Sequence, residues 1–451
     1  MPITPTISSF DTDKSSRLEF MLRALRHRNY RLFFTGQMVS LIGTWMTQIA
    51  MTWLVYSLTK SPLMLGVVAF AGQIPSFVMG PFAGVIVDRW PRHRLLVGTQ
   101  ICAMIQSFAL AFLALSGMIQ VWHIIVLIAL QGLINAFDMP ARQSFVVEIV
   151  EDKADLSNAI ALNSSMFNMA RLIGPSVGGI LVATVGEGWC FLIDGISYIG
   201  VIAALLAMRI KPPDTTRQHK NALQELKEGW AYVTGSLPIR SLIMLMAWVS
   251  LVGMPYGVLM PIIAGETLRG GPNTMGFLMA ASGSGALVGA LFLAARKNIR
   301  GLGKRIPLLV AVFGGGLLVF SQSTALWLSM LTLFVMGFAL MQQNASSNTI
   351  LQTIVDDDKR GRVMSFYIMA FMGMAPFGSL WAGAMASRIG APSTLVISGI
   401  GCLLASIWIA MRYKSIRQMV LPIYVQMGIA PEVAAGLESE SVLSRPPERQ
   451  A

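Results

Sequence analysis

The segment Gly84-x-x-x-Asp88-Arg89-x-x-Arg92-x-Arg94 sets one acid and three cations at a turn between two apolar runs. An acid there can pair with cations or face the positive end of a neighbouring helix. Such a contact is worth about 0.3–1 kcal/mol, and up to about 2 kcal/mol when partly buried. Since about 1.4 kcal/mol is a factor of ten, breaking it would shift a two-state gate about tenfold. That suits a latch; the plain alternative is a charged turn. Arg171 and Asp194 stand inside apolar runs. An ionisable residue in a membrane costs about 2.5–3.5 kcal/mol even on insertion scales and is a functional candidate by default. Asp194 is a candidate proton acceptor, or else a hydrogen-bonded residue near the outer interface. Arg171 either attracts anionic substrates or snorkels towards a cavity mouth. At about 1.5 Å per residue their depths differ by roughly 14 Å, too far for a direct pair.

Other polar residues within apolar runs include Gln48, Asn168, Gln342 and Asn344, with Trp45, Phe167 and Tyr367 among the aromatic residues. They either line an amphiphile cavity, which combines apolar walls with few polar groups, or join helices. Gly174-Pro175-x-x-Gly178-Gly179 combines a kinking proline with glycines that let another helix approach closely. Catalytic signatures fail to appear. Gly301-Leu302-Gly303-Lys304-Arg305 lacks the spacing of a phosphate loop, and Gly283-Ser284-Gly285 sits within an apolar run. Cys102, Cys190, Cys402 and the four histidines are scattered, so neither a disulfide framework, a metal site nor a cofactor is expected. An enzyme is the least favoured class.

The elements that must position these residues follow from composition. Of 451 residues, 54% are hydrophobic and 12% charged, against about 25% charged in soluble domains. A spanning helix needs about 20 apolar residues. Twelve such runs occur near 32–58, 62–87, 94–116, 121–141, 158–185, 189–208, 239–264, 273–295, 306–322, 325–350, 363–388 and 393–412. The first thirty residues are polar and basic and show no cleavable signal. The net charge of +12 tempts one towards nucleic acid. Its distribution argues otherwise: of the 34 Lys and Arg residues, all but Lys60, Arg171, Arg269 and Arg388 fall on the side of the N-terminus. The positive-inside rule makes that side cytoplasmic, with both termini inside. No nucleic-acid partner is expected, only the bilayer and a small-molecule substrate.

The sequence thus predicts an all-α integral membrane protein. It has a cytoplasmic segment 1–30 with an interfacial helix, a six-helix bundle 31–208, a linker 209–238 with an amphipathic helix, a second bundle 239–413, and a disordered tail 414–451. The halves resemble each other: Leu65-Gly66 matches Met275-Gly276, Gly132 matches Gly337, and Glu148–Asp152 matches Thr353–Asp357. Parallel repeats of six helices with a cavity near the midplane are a known transporter architecture.

The Gly84–Arg94 segment resembles the loop signature of the major facilitator superfamily, and the likeness covers essentially the whole chain. It is closest to the branch of the enterobactin exporter and macrolide-efflux-like proteins, the transmembrane secretion effectors. Leu58-Thr59-Lys60-Ser61-Pro62, Pro140-Ala141-Arg142-Gln143, Arg171-Leu172-Ile173-Gly174-Pro175, Leu226-x-x-Gly229 and Arg360-Gly361-Arg362-Val363 carry it. The resemblance implies the major facilitator fold, two pseudo-symmetric six-helix bundles. It also implies that Asp88 holds the cytoplasmic side shut with Arg89, Arg92 and the helix beginning near Arg362, joined by Asp138 and Arg142. The Gly174–Gly179 run resembles the antiporter motif of proton-coupled exporters. Pro91 and Ala170 depart from family glycines. Ile128 stands where drug–proton antiporters carry an arginine, so any proton relay uses other residues. The function expected is proton-coupled efflux of small amphiphiles, drug-like or siderophore-like, by a monomer in the cell inner membrane. The alternatives are uptake or exchange of a metabolite or lysolipid, and a non-transporting receptor or assembly factor.

Overall fold

The computed structural model describes residues 22–150, 152–210, 222–295 and 301–426. Among these residues there is no strand, and twelve helices are long and apolar enough to cross a membrane. Six come first: α1 (Arg28–Thr59), α2 (Pro62–Arg89), α3 (Arg92–Leu115), α4 (Val121–Ile149), α5 (Leu156–Val185) and α6 (Glu187–Leu206). The shorter α7 (Ala222–Gly235) lies in the polar linker. Six more follow: α8 (Leu237–Thr267), α9 (Pro272–Ala294), α10 (Leu302–Gln322), α11 (Leu326–Ile354), α12 (Asp357–Ile389) and α13 (Ala391–Gln426).

Local chemistry sets the helix ends. Lys60 turns left-handed (φ 49°) and closes α1. The Ser61 hydroxyl then accepts from the Met64 amide at 3.4 Å, and Pro62 opens α2, where its missing N–H is no loss. Gly186 and Gly390 adopt φ of 93° and 83° at the α5–α6 and α12–α13 turns, a region open to glycine.

Two segments differ from expectation. Ahead of α1, residues Arg23–Arg26 form a single 3-10 turn, while residues before 22 lie outside the described residues. The turn is tied to the start of α5: Arg23 and His27 meet the Asp155 carboxylate at 2.9 and 3.0 Å, and the Ala24 amide donates to Asn158 at 3.1 Å. At the other end, α13 continues to Gln426, so the first residues of the expected tail are helical. Residues 412–421 contain no glycine and many good helix formers, and Arg412 stacks 4.6 Å over the Trp408 ring. The remainder of that tail is outside the described residues.

The chain forms two compact units, Met1–Arg217 with Val258–Gly283, and Gln218–Gly257 with Ser284–Ala451. In the first, α3 packs on α6 and α4, α1 packs on α5 and α6, and α2 packs on α4. In the second, α10 packs on α13 and α11, and the first part of α8 packs on α12 and α13. Counting spans alone, the four pairings of the second unit are four of the first unit's five shifted by six. The weak internal repeat of the sequence is therefore a repeat of helix pairings. Within each unit, small residues fix the closest crossings. A Cβ on Gly132 of α4 would collide with the Gly72 carbonyl of α2, and Ser76 donates to the Gly132 carbonyl at 2.6 Å. Large side chains such as Phe112, Leu308 and Trp327 stay exposed, as a surface meeting lipid requires.

The α8 span is interrupted. After Leu237–Trp248 come a π-turn (Val249–Gly253), a 3-10 turn (Met254–Gly257), a short α segment and a second π-turn (Ile263–Thr267). Pro255 and Pro261 remove helix hydrogen bonds there, and the chain passes between units at Gly257. We expect Gly132→Ala to lower the thermal unfolding midpoint in detergent, an overpacking cost of about 1–3 kcal/mol. Gly98→Ala, which meets nothing within 4 Å, should hold or raise it.

Candidate functional site

The centre of the first unit is polar. On α3, Leu96, Thr99, Gln100, Ala103, Gln106, Ser107 and Leu110 are all buried. Their three- and four-residue spacing places them on one helix face. Four of the seven carry hydrogen-bonding groups, which fits an apolar bundle only if partners wait for them. Gln106 donates to the Leu127 carbonyl at 3.4 Å; the partners of the other three are two carboxylates, each 2% exposed.

Asp138, on α4, accepts at Oδ1 from Thr99 Oγ1 (2.8 Å) and Gln100 Nε2 (2.7 Å), while Arg142 one turn later forms an ion pair with Oδ2. Asp194, on α6, accepts at Oδ2 from Ser107 Oγ at 2.9 Å. It rests on α1 where Gly43 makes room: a Cβ there would lie 2.6 Å from Oδ1. Thr47 stands beside this carboxylate, yet neither its hydroxyl nor Asp194 Oδ1 completes a hydrogen bond. The two acids thus differ in kind. Asp138 is paired with a cation on its own helix. Asp194 forms no ion pair among the described residues and is partnered by the Ser107 hydroxyl.

Arg171 lies on α5, beside Trp45 of α1. Its guanidinium lies 5.8 Å from the Trp45 ring centre, in cation–π range, and Trp45 meets Phe167 edge-on at 5.8 Å. The antiporter-like run explains the closeness of α1. A Cβ on Gly174 would strike Trp45, and one on Gly178 would press on Met46. Gly179, on the other side, abuts Pro272 and Gly276, and Gly276 lies against the Pro175 carbonyl.

The latch residues occupy the ends of α2 and α3. Gly84 and Asp88 are on α2, and the Asp88 side chain is outside the described part. Arg89 and Arg94 are exposed. Arg92 pairs with Glu148 at 3.4 Å, a partner the sequence reading did not single out. Pro91 caps α3, and His93 Nε2 reaches the Leu205 carbonyl at 2.8 Å. The structure therefore shows two local pairs, Arg92–Glu148 and Asp138–Arg142.

In the second unit, Arg362 lines a cavity of about 350 Å³ with Gly229, Tyr232 and Lys359, and Arg360 is half-buried nearby. Burial and the adjacent Asp356 carboxylate raise the Tyr232 pKa, leaving the phenol a donor to Asp356 Oδ2 at 3.3 Å. Gly229 is required where α7 crosses Phe366 and Arg362 of α12. Gln342 is buried and donates to the Gly289 carbonyl at 2.6 Å, joining α11 to α9. Asn344 accepts from Tyr367 through its carbonyl at 2.9 Å. Asn168 bonds within its own helix, and Gln48 is exposed on α1.

The residues missed by sequence reasoning are Thr99, Gln100, Ser107 and Glu148. The first three were visible as polar positions at helical spacing inside an apolar run, but their direction was not.

Twelve spans in two units repeating one set of pairings, with charges buried inside the first unit and no strand among the described residues, define a transporter of the major facilitator type. The chain belongs to the transmembrane secretion effector family, whose profile matches residues 21–427. It is 26% identical over 377 residues to the staphyloferrin A transporter of Staphylococcus aureus, covering 82% of this chain and 92% of that one. It is 24% identical over 387 residues to macrolide efflux protein A of Streptococcus pyogenes, covering 83% and 94%. The fold matches that of a bacterial homologue of the human lysosomal transporter Spinster, with a TM-score of 0.65 at 13% identity, covering 87% and 98%. The family and these relatives are transporters, not enzymes.

Arg142→Gln strands a buried anion and should cost about 3–5 kcal/mol, whereas Arg92→Gln opens a half-exposed pair worth about 0–1 kcal/mol. Thermal unfolding of the two variants in the same detergent should rank them in that order by a wide margin.

Proposed function

We propose that the protein exports small amphiphilic molecules, drug-like or siderophore-like, in exchange for protons by alternating access. The observation carrying this reading is Asp194: a carboxyl group enclosed within a membrane bundle, held by the Ser107 hydroxyl and without an ion-pair partner among the described residues. A charged group in that position is costly, and a site that alternates between acid and carboxylate gives a gradient something to act on. One charge crossing 100 mV supplies about 2.3 kcal/mol. The names of the relatives, one a siderophore transporter and one a macrolide efflux protein, support export of bulky organic molecules over uptake of small nutrients.

In this reading the two six-helix halves rock about a central site. The motif around Asp88 latches the cytoplasmic side, and Gly174, Pro175, Gly178 and Gly179 keep α5 close to α1 and α9. The polypeptide works as a monomer in the inner membrane, with both termini cytoplasmic, as the distribution of basic residues favours.

The test uses the full chain in liposomes with an internal pH dye, a macrolide and a fluorescent lipophilic cation as probes, and an imposed pH gradient. The wild type should move probe against proton flow. Asp194→Asn should leave probe binding within a fewfold and abolish probe-evoked proton movement. Proton movement unchanged in Asp194→Asn would refute the assignment, and probe flux indifferent to the gradient would refute exchange itself.

A further inference from the structure

Asp194 is not alone on its face of α6. Tyr198 follows it by four residues, one turn along the same face, and is 5% exposed. Its ring packs with Ala103 of α3 and Ile134 of α4. Ala103 stands between the residues that hold Asp138 (Thr99, Gln100) and those at Asp194 (Gln106, Ser107), and Ile134 is one turn from Asp138. The ring is thus lodged between the two carboxylates, and Tyr198 is within electrostatic reach of Asp194, Asp138 and Arg142. Its hydroxyl lies 3.5 Å from Thr44 Oγ1 of α1. Thr44 is exposed and spends its own proton on the Ser40 carbonyl at 3.0 Å, so its oxygen is left to accept.

The remaining polar atoms point the same way. Asp194 Oδ1, Thr47 Oγ1, Gln37 Nε2 and Gln100 Oε1 are buried side-chain atoms on α1, α3 and α6 that complete no hydrogen bond with protein. Buried polar groups of this kind take water as partner. Among the described residues, the groups around Asp194 are Gly43, Thr44 and Thr47 on α1, Gln106 and Ser107 on α3, and Cys190, Ser197, Tyr198 and, at its start, Glu187 on α6, with the Asp138–Arg142 pair of α4 beyond Tyr198.

We infer that Tyr198 is the proton relay to Asp194, passing protons between the exposed Thr44 hydroxyl and the buried carboxylate, with the Asp138–Arg142 pair fixing the charge on its far side. In the loading step the phenol hydroxyl turns from Thr44 towards Asp194. A hydronium ion at Thr44 gives a proton to the phenol oxygen and leaves as water, and the original Tyr198 O–H bond breaks, freeing its proton. That proton crosses a bridging water to Asp194 Oδ1, turning carboxylate into acid. The phenol ends as it began, and the net change is one proton moved from solvent to Asp194. Release is the same sequence reversed. Tyr198 acts through Asp194 and is a positioning and relay residue. This inference rests on Asp194 being the proton site.

The experiment is infrared spectroscopy of the full chain in detergent, with no transport substrate. The protonated-carboxyl band of Asp194 is identified by its loss in Asp194→Asn, and its exchange in heavy water is then timed. Tyr198→Phe keeps the ring and removes only the hydroxyl, and Thr44→Val alters the exposed end of the route. Both should slow exchange by about a hundredfold, the scale of positioned proton transfer, while the band itself persists. Exchange as fast as wild type in either variant overturns the relay, even if Asp194 still couples flux. Absence of a protonated Asp194 band around neutrality overturns the relay and the proton reading together. Thermal unfolding of each variant separates slow exchange from misfolding, since a merely structural tyrosine would shift the unfolding midpoint and leave the exchange rate of the folded protein unchanged.

Discussion

The cost of placing an ionisable group inside an apolar bundle governs the first unit of this protein. Two carboxylates are buried there, and the bundle answers each differently. Asp138 receives a cation on its own helix and two donors from α3. Asp194 receives a serine from α3 and the bare backbone of Gly43. A cation-paired acid is held by its partner's charge. The polar face of α3 serves both, which is why an otherwise apolar span carries Thr99, Gln100, Gln106 and Ser107 on its buried side.

That arrangement depends on close helix crossings, and these depend on small residues. Asp194 can lie on α1 only because position 43 has no side chain. The α5 helix can approach Trp45 and Met46 only because positions 174 and 178 have none. The glycine–proline run that reads as an antiporter motif is, in physical terms, a surface of low relief turned towards two neighbours at once. Between lipid-soluble helices there is no strong hydrophobic drive to associate, so packing of this kind and interhelical hydrogen bonds supply the cohesion. The bonds from Ser76, Gln342 and Trp248 to carbonyls of neighbouring helices belong to the same economy.

The interrupted α8 shows where regularity is given up. Prolines and π-turns concentrate at the point where the chain leaves one compact unit for the other. Beyond it, residues Val258–Gly283 pack with the first unit, where Glu266 accepts from Tyr56 at 3.3 Å and Gly276 meets Gly179. Departures from α-helical hydrogen bonding of this sort recur at functional sites.

Composition and run length alone determined that this chain lives in a bilayer with twelve spans, because the hydrocarbon thickness sets helix length and water does not compete for the backbone. The Gly84–Arg94 and Gly174–Gly179 signatures fixed the superfamily before any packing was known. Asp194 and Arg171 were legible as unusual, since charge within an apolar run is visible without coordinates. What they touch was not. Helix rotation about its own axis decides whether Asp194 meets Ser107 or lipid, whether Arg171 finds an acid or the face of Trp45, and whether Gln342 lines a cavity or bridges to Gly289. In a span that is apolar nearly all round, the hydrophobic pattern is too weak to fix that rotation. Only the packing of six helices against one another could do so.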